Sequence, residues 1–145
     1  MPGSPALTAD VFLDTNILLY AAMAGRADPA KKARARAIVL EEDYATSAQV
    51  LAEFFVNATR KGERPMSLET AREWVRQLAR KPCVPLTPDL VTAGADLAQR
   101  FQLAYWDAAI LAAAQRVGAK TLYTEDLSHG QSYGPVTAIN PFLSA

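Results

Sequence analysis

One cysteine and one histidine are all that this chain of 145 residues holds of two side chains widely used for metal binding and proton relay. With Cys83 alone, neither an internal disulfide nor a multi-cysteine zinc cage can form, which fits a reducing, cytoplasmic setting. The same scarcity excludes a ribonuclease mechanism built on a histidine pair. A Ser-His-Asp route would depend on His129, which sits in a Gly- and Ser-bearing loop. Charge of one sign is not in excess, since 15 Lys and Arg balance 15 Asp and Glu, so overall charge neither requires nor forbids a polyanionic partner. No run approaches the roughly 18 apolar, uncharged residues of a spanning helix, and the start MPGSPALTAD lacks a basic region ahead of an apolar one. The expectation is a soluble intracellular protein with no membrane association. Neither a G-x-x-x-x-G-K-[ST] phosphate loop nor a G-x-G-x-x-G fingerprint occurs, so nucleotide-driven and dinucleotide chemistry have no support.

What remains reads as a single domain over 1–145, with a loose leader at 1–9. A domain of this length buries about 68 to 70% of the surface its unfolded chain exposes. The compact apolar run VFL predicts a buried strand, and Asn16 is placed to cap a short helix that Gly25 ends. Helices are expected at 29–42, with Lys31, Lys32, Arg34 and Arg36 on a basic outer face, and behind Ser47 as N-cap for the helix that carries Glu53. Further helices are expected at 67–79, 88–102 and 105–117, the last stopped by Gly118. Strands are expected at 44–46, within CVPL, at TLYT and at VTAI, with 127–135 as a loop. Short buried strands alternating with helices predict a three-layer α/β/α sandwich around a parallel sheet.

Four carboxylates stand where these elements end. Asp14 closes the first strand, at the edge where open α/β sheets place their ligands, although by itself it reads equally as a turn or cap carboxylate. Glu53 shares a helix face with Gln49, Asn57 and Arg60, opposite Leu51, Phe54, Phe55 and Ala58. Asp107 opens the nearly uncharged helix AAILAAAQRV, where a carboxylate is unfavourable unless paired, hydrogen-bonded or metal-bound. Asp126 follows TLYT as Asp14 follows VFL. Thr124 shares its side of the extended chain, and the adjacent Glu125 competes for the role. Convergence would set like charges against one another by roughly 4 kcal/mol for a pair ~4 Å apart at an effective dielectric of ~20, and a divalent cation is the natural remedy. Oxygen-only ligands favour Mg²⁺ or Mn²⁺, and such sites suit phosphoryl chemistry.

Basic residues cluster nearby. Over residues 60–81 seven basic side chains stand against three acidic ones, and Arg60, Lys61 and Arg64 are the candidates for contact with a nucleic-acid backbone. Trp74, Trp106 and Tyr105 offer ring faces for base stacking, but beside an apolar helix Trp106 reads as core.

LDTNILLY, S-x-Q-V-L-x-E-F, YWDAAILAAA and LYTEDLSHGQ, in that order over 11–142, resemble the PIN-domain ribonucleases, and more narrowly the VapC-type toxins of bacterial toxin–antitoxin pairs. The resemblance implies a Mg²⁺- or Mn²⁺-dependent endoribonuclease acting on RNA, homodimerisation, and inhibition by a cognate antitoxin that occupies the active-site groove. It implies catalytic and metal-ligating roles for Asp14, Glu53, Asp107 and Asp126, with Asn16, Ser47 and Thr124 in supporting positions. Two rivals stand beside it: a haloacid-dehalogenase-like phosphatase, which wants an Asp where Asn16 stands, and a non-catalytic PIN-like binding module.

Overall fold

In the computed structural model, which describes residues 8–23, 28–60 and 64–143, the hydrophobic runs become a six-stranded sheet flanked by helices. Strand β1 (Val11–Leu13) is buried throughout and leads into helix α1 (Thr15–Ala22). Helix α2 (Pro29–Glu41) starts at Pro29 behind Asp28, whose carboxylate accepts from Ala30 N–H and Lys31 N–H. Strand β2 (Tyr44–Ser47) passes directly into α3 (Ala48–Arg60), whose Val50 N–H donates to Ser47 Oγ at 3.1 Å. Helix α4 (Leu68–Leu78), capped by Ser67, precedes the short β3 (Cys83–Val84). Helix α5 (Pro88–Phe101) follows, capped by Thr87. After α6 (Tyr105–Arg116) come β4 (Thr121–Tyr123), β5 (Ser132–Tyr133) and β6 (Val136–Ile139).

Sheet order is β3-β2-β1-β4-β6-β5, parallel throughout except for β5, which runs against β6. From β1 the chain builds outward to β2 and β3, then returns to the other side of β1 for β4 and β6. The β1/β4 boundary is therefore a topological switch point, where open α/β sheets leave a crevice outside the carboxyl ends of their strands. Leu13 pairs with Tyr123, and Asp14 N–H donates to the Tyr123 carbonyl at 3.1 Å, so the residues leaving both strands emerge side by side.

Several local expectations change. Asn16 is not the cap of α1: Asp14 holds that position, its carboxylate accepting from Thr15 N–H at 2.7 Å, because the helix begins two residues earlier than the motif indicates. The loop expected at 127–135 contains β5, two residues long and held to β6 through the turn at Gly134 (φ 65°). The leader's last residue, Ala9, is buried and its N–H donates to the Val117 carbonyl, while 1–7 and Gly25 lie outside the described residues. Among the described residues no helix is long and apolar enough to cross a membrane.

Helix α6 is apolar on every side, with residues 108–114 buried without interruption. Its alanines let α5 approach closely. A Cβ built on Gly94 of α5 would stand 3.1 Å from Tyr105 Cε1 and 3.2 Å from Ala109 Cα. Tyr105 can yield, but the backbone of a buried helix cannot. Gly94→Leu should therefore lower stability by about 1 to 3 kcal/mol in urea unfolding, as overpacking typically does. An unchanged midpoint would show that the two helices are not in firm contact there.

Candidate active site

Each carboxylate reaches the crevice by a different local route. Asp14 arrives on the C-terminal end of β1 and Asp126 on the segment after β4, two neighbouring parallel strands. Glu53 comes from the second turn of α3, a helix that buries Val50, Leu51, Phe54 and Ala58. Asp107 lies in the first turn of α6, where Ala104 supplies no side-chain cap and the positive end of the helix dipole favours an anion by ~0.3 to 1 kcal/mol. Together with Thr15, Asn16, Leu19, Asn57, Trp106 and Ile110, these four acids line one cleft of about 250 Å³.

Neutral donors position three of them. Thr124, buried at the end of β4, donates its hydroxyl to Asp14 Oδ2 at 2.8 Å and accepts from Asp126 N–H at 3.0 Å. Thr15 Oγ1 donates to Glu53 Oε1 at 3.0 Å, and Asn16 Nδ2 donates to Asp126 Oδ2 at 3.3 Å. Lys31 pairs with Glu125 at 2.6 Å, which draws that carboxylate aside. Asp126 lines the cleft and Glu125 does not.

Electrostatics mark Asp14 most strongly. It is only 7% exposed, and its carboxyl is pushed up to about 7, chiefly by burial and further by the charges of Asp126 and Glu53. The bonds from Thr124 and from Thr15 N–H pull the other way without cancelling this. Asp107 is raised too, by burial first and by Asp126 second. Among the described residues no three acidic, histidine or cysteine side chains are set to hold a metal ion as they stand, since each of Asp14, Glu53 and Asp126 is turned to a neutral partner. The donor set nevertheless suits a hard divalent ion. A buried carboxyl raised to about 7 beside other acids is relieved by a cation, and Asn16 Oδ1 is buried without a hydrogen-bond partner.

The other candidates separate by place. Ser47 is buried and caps α3 outside the cleft lining. Arg60 and Arg64 are exposed and do not line the cleft, and Lys61 lies outside the described residues. Trp106, expected in the core, is 62% exposed at the cleft. Helix α6 buries its neighbours Ala108 and Ala109 while Trp106, in its first turn, faces outward. Thr15 escaped sequence reading, although its place next to Asp14 in LDTN was the available signal. The basic face expected on α2 is engaged with the fold: Lys32 donates to the Met23 carbonyl and Arg36 to that of Ala21. Size does not mark the site. A hollow of about 550 Å³ beside Lys31, Arg34 and His129 is larger, but its cations are taken up by Glu125 and the Pro141 carbonyl.

These features first define a class, a mostly parallel α/β protein with an acidic crevice where its strand order reverses. A family model for the PIN domain matches residues 11–131, and the chain belongs to that family. The match leaves the phosphatase alternative without support. No curated protein sequence matches significantly. Among solved structures the chain is similar to VapC20 of Mycobacterium tuberculosis, a sarcin-ricin loop cleaving toxin, at 21% identity and TM-score 0.65 over 80% of this chain and 89% of that one. It is similar to a toxin–antitoxin complex from Klebsiella pneumoniae at 21% identity and TM-score 0.66, over 90% of this chain and 97% of that one. It is also similar to VapBC2 of Rickettsia felis bound to a promoter DNA fragment, at 18% identity and TM-score 0.58, over 88% and 96%. Likeness at these identities speaks to the fold.

Proposed function

We propose that this chain is a Mg²⁺- or Mn²⁺-dependent endoribonuclease, the toxin of a toxin–antitoxin pair, working in the cytoplasm as a homodimer and restrained by a cognate antitoxin. One observation carries the reading: carboxylates from four separate segments line one small cleft, and the most buried of them is raised to about 7. Membership of the PIN family and likeness in fold to toxin structures support it.

Asp14, Glu53, Asp107 and Asp126 are the residues that would hold the ion. When bound, such an ion would neutralise charge at the scissile phosphate and make a water easier to deprotonate for attack on it. The chain's own residues do the positioning. Thr124 fixes Asp14 and, through its backbone, Asp126; Thr15 fixes Glu53; Asn16 holds Asp126 toward the cleft. Asp14 gives up its proton before it can act as a ligand, so cation binding releases protons and strengthens as pH rises toward about 7. Without a cation, the acids repel any phosphate that enters.

Purified protein incubated with total RNA is expected to cut it when Mn²⁺ or Mg²⁺ is present and to leave it intact in excess EDTA. Equal cleavage with and without chelator, or RNA binding with no metal-dependent turnover, would reject the assignment, the second result in favour of a binding module.

A further inference from the structure

Trp106 has no part in holding an ion, yet it stands exposed beside Asp107. Tyr105 packs edge-on against it, with ring centroids 5.2 Å apart and planes at 74°. The same indole lines a second groove of about 540 Å³, together with Ala48, Gln49, Ala52, Glu53 and Leu86. Glu53 and Trp106 border both hollows, so the apolar groove adjoins the carboxylate cleft. Leu86 is 58% exposed, which leaves a second large apolar side chain at the groove. Gln49 adds the decisive feature: its side-chain Nε2 is buried and has no hydrogen-bond partner. A buried donor left unmet is unfavourable, so the groove favours an occupant that brings an acceptor.

An aliphatic side chain from a partner protein would fill such a groove and leave the amide unmet. A nucleobase has an apolar face for an indole and ring nitrogens or carbonyls at its edge for an amide. Phosphate contacts carry no sequence information, so any base preference must be read beside the cleft rather than in it. Resting on the endoribonuclease reading, we infer that this groove is a base pocket: an unpaired base next to the scissile phosphate stacks on Trp106 and presents an acceptor to Gln49. The two residues bind and select; neither touches the reacting atoms.

The chain has two tryptophans, so Trp74→Phe leaves Trp106 as the sole indole emitter. With Ca²⁺ in place of Mn²⁺, a random-sequence single-stranded RNA dodecamer should quench that emission, and duplex RNA of the same length should do so far less. With Mn²⁺, Trp106→Ala should raise KM roughly 10- to 100-fold while kcat changes less than about threefold, as loss of one stacked base entails. Trp106→Phe should recover most of the loss. Gln49→Leu should flatten the preference among the four bases at one position beside the cut by about tenfold, the discrimination a hydrogen-bonding edge supplies. Unquenched emission, or unaltered KM and base preference in both variants, overturns the pocket. So does a Trp106→Ala protein with normal RNA kinetics but a weakened hold on a co-expressed partner protein, a result that assigns the groove to protein docking. Quenching in a wild-type protein that never cleaves leaves the pocket standing and removes the nuclease reading. Cleavage without quenching does the reverse.

Discussion

Asp14→Asn is expected to abolish metal-dependent cleavage and, in the same protein, to raise the melting temperature measured in EDTA at alkaline pH. Loss of activity follows, on the proposed reading, from removing one of the carboxylates that would hold the ion. If the ion contributes about 4 kcal/mol to the barrier, cleavage falls by about a thousandfold or more. The gain in stability follows from the raised carboxyl. In the unfolded chain Asp14 ionises near 3.8, and in the folded, ion-free protein near 7. Between these values the folded state holds the extra proton, so stability declines as pH rises through that window and stays at its lowest above it. The full penalty is of the order of 4 kcal/mol. Asn carries no such penalty, and it can still accept from Thr15 N–H while its amide turns toward Thr124. In EDTA the melting temperature of the variant should therefore match wild type near pH 4 and exceed it increasingly up to about pH 8. Melting curves across this range, paired with an RNA cleavage assay, check both halves. A variant less stable than wild type at pH 8 would mean that Asp14 is satisfied without a cation, which removes the reason for placing one there.

How much of this was readable from residues alone depended on whether a position's role was set locally. The placement of Asp14 and Asp126 at strand ends could be anticipated because VFL and TLYT are short apolar runs that stop at polar residues. A parallel pairing then brings such ends together. Asp107 could be anticipated because an almost uncharged helix makes any acid in its first turn conspicuous. Other features required the third dimension. Lys31 takes Glu125 while Asn16 holds Asp126, and Lys31 lies 94 residues from Glu125 in sequence. Trp106 reads as core because it adjoins a buried helix, but it stands exposed at the cleft, and no periodicity marks which first-turn residue of an almost wholly apolar helix faces outward. Strand β5 was missed because two residues carry no alternation to detect. Asn16 looked like a cap because Asn is a preferred N-cap residue. Asp14, equally suited, took the position, which freed the Asn16 amide to face Asp126.

The position whose loss should matter most after the ligands themselves is Thr124, although it bears no charge. Thr124→Val keeps the shape and removes the one hydroxyl that joins Asp14 to the backbone of Asp126. Asp126 N–H then loses its acceptor, and the larger of the two bonds that pull the Asp14 carboxyl down against burial is gone, leaving only that from Thr15 N–H. Asp14 should ionise later, so at neutral pH a larger fraction is protonated and unable to bind a cation. Loss of a residue that orients a ligand commonly weakens metal affinity or activity about 10- to 100-fold. The same range is expected here for kcat/KM at neutral pH, with the acidic limb of the pH–rate profile moving to higher pH. Thr124→Ser, which keeps the hydroxyl, should restore both rate and profile. A purely structural role for Thr124 would lower stability and rate together without moving that limb. A Thr124→Val enzyme that is slower but has the wild-type pH profile would therefore disconnect this hydroxyl from the protonation of Asp14.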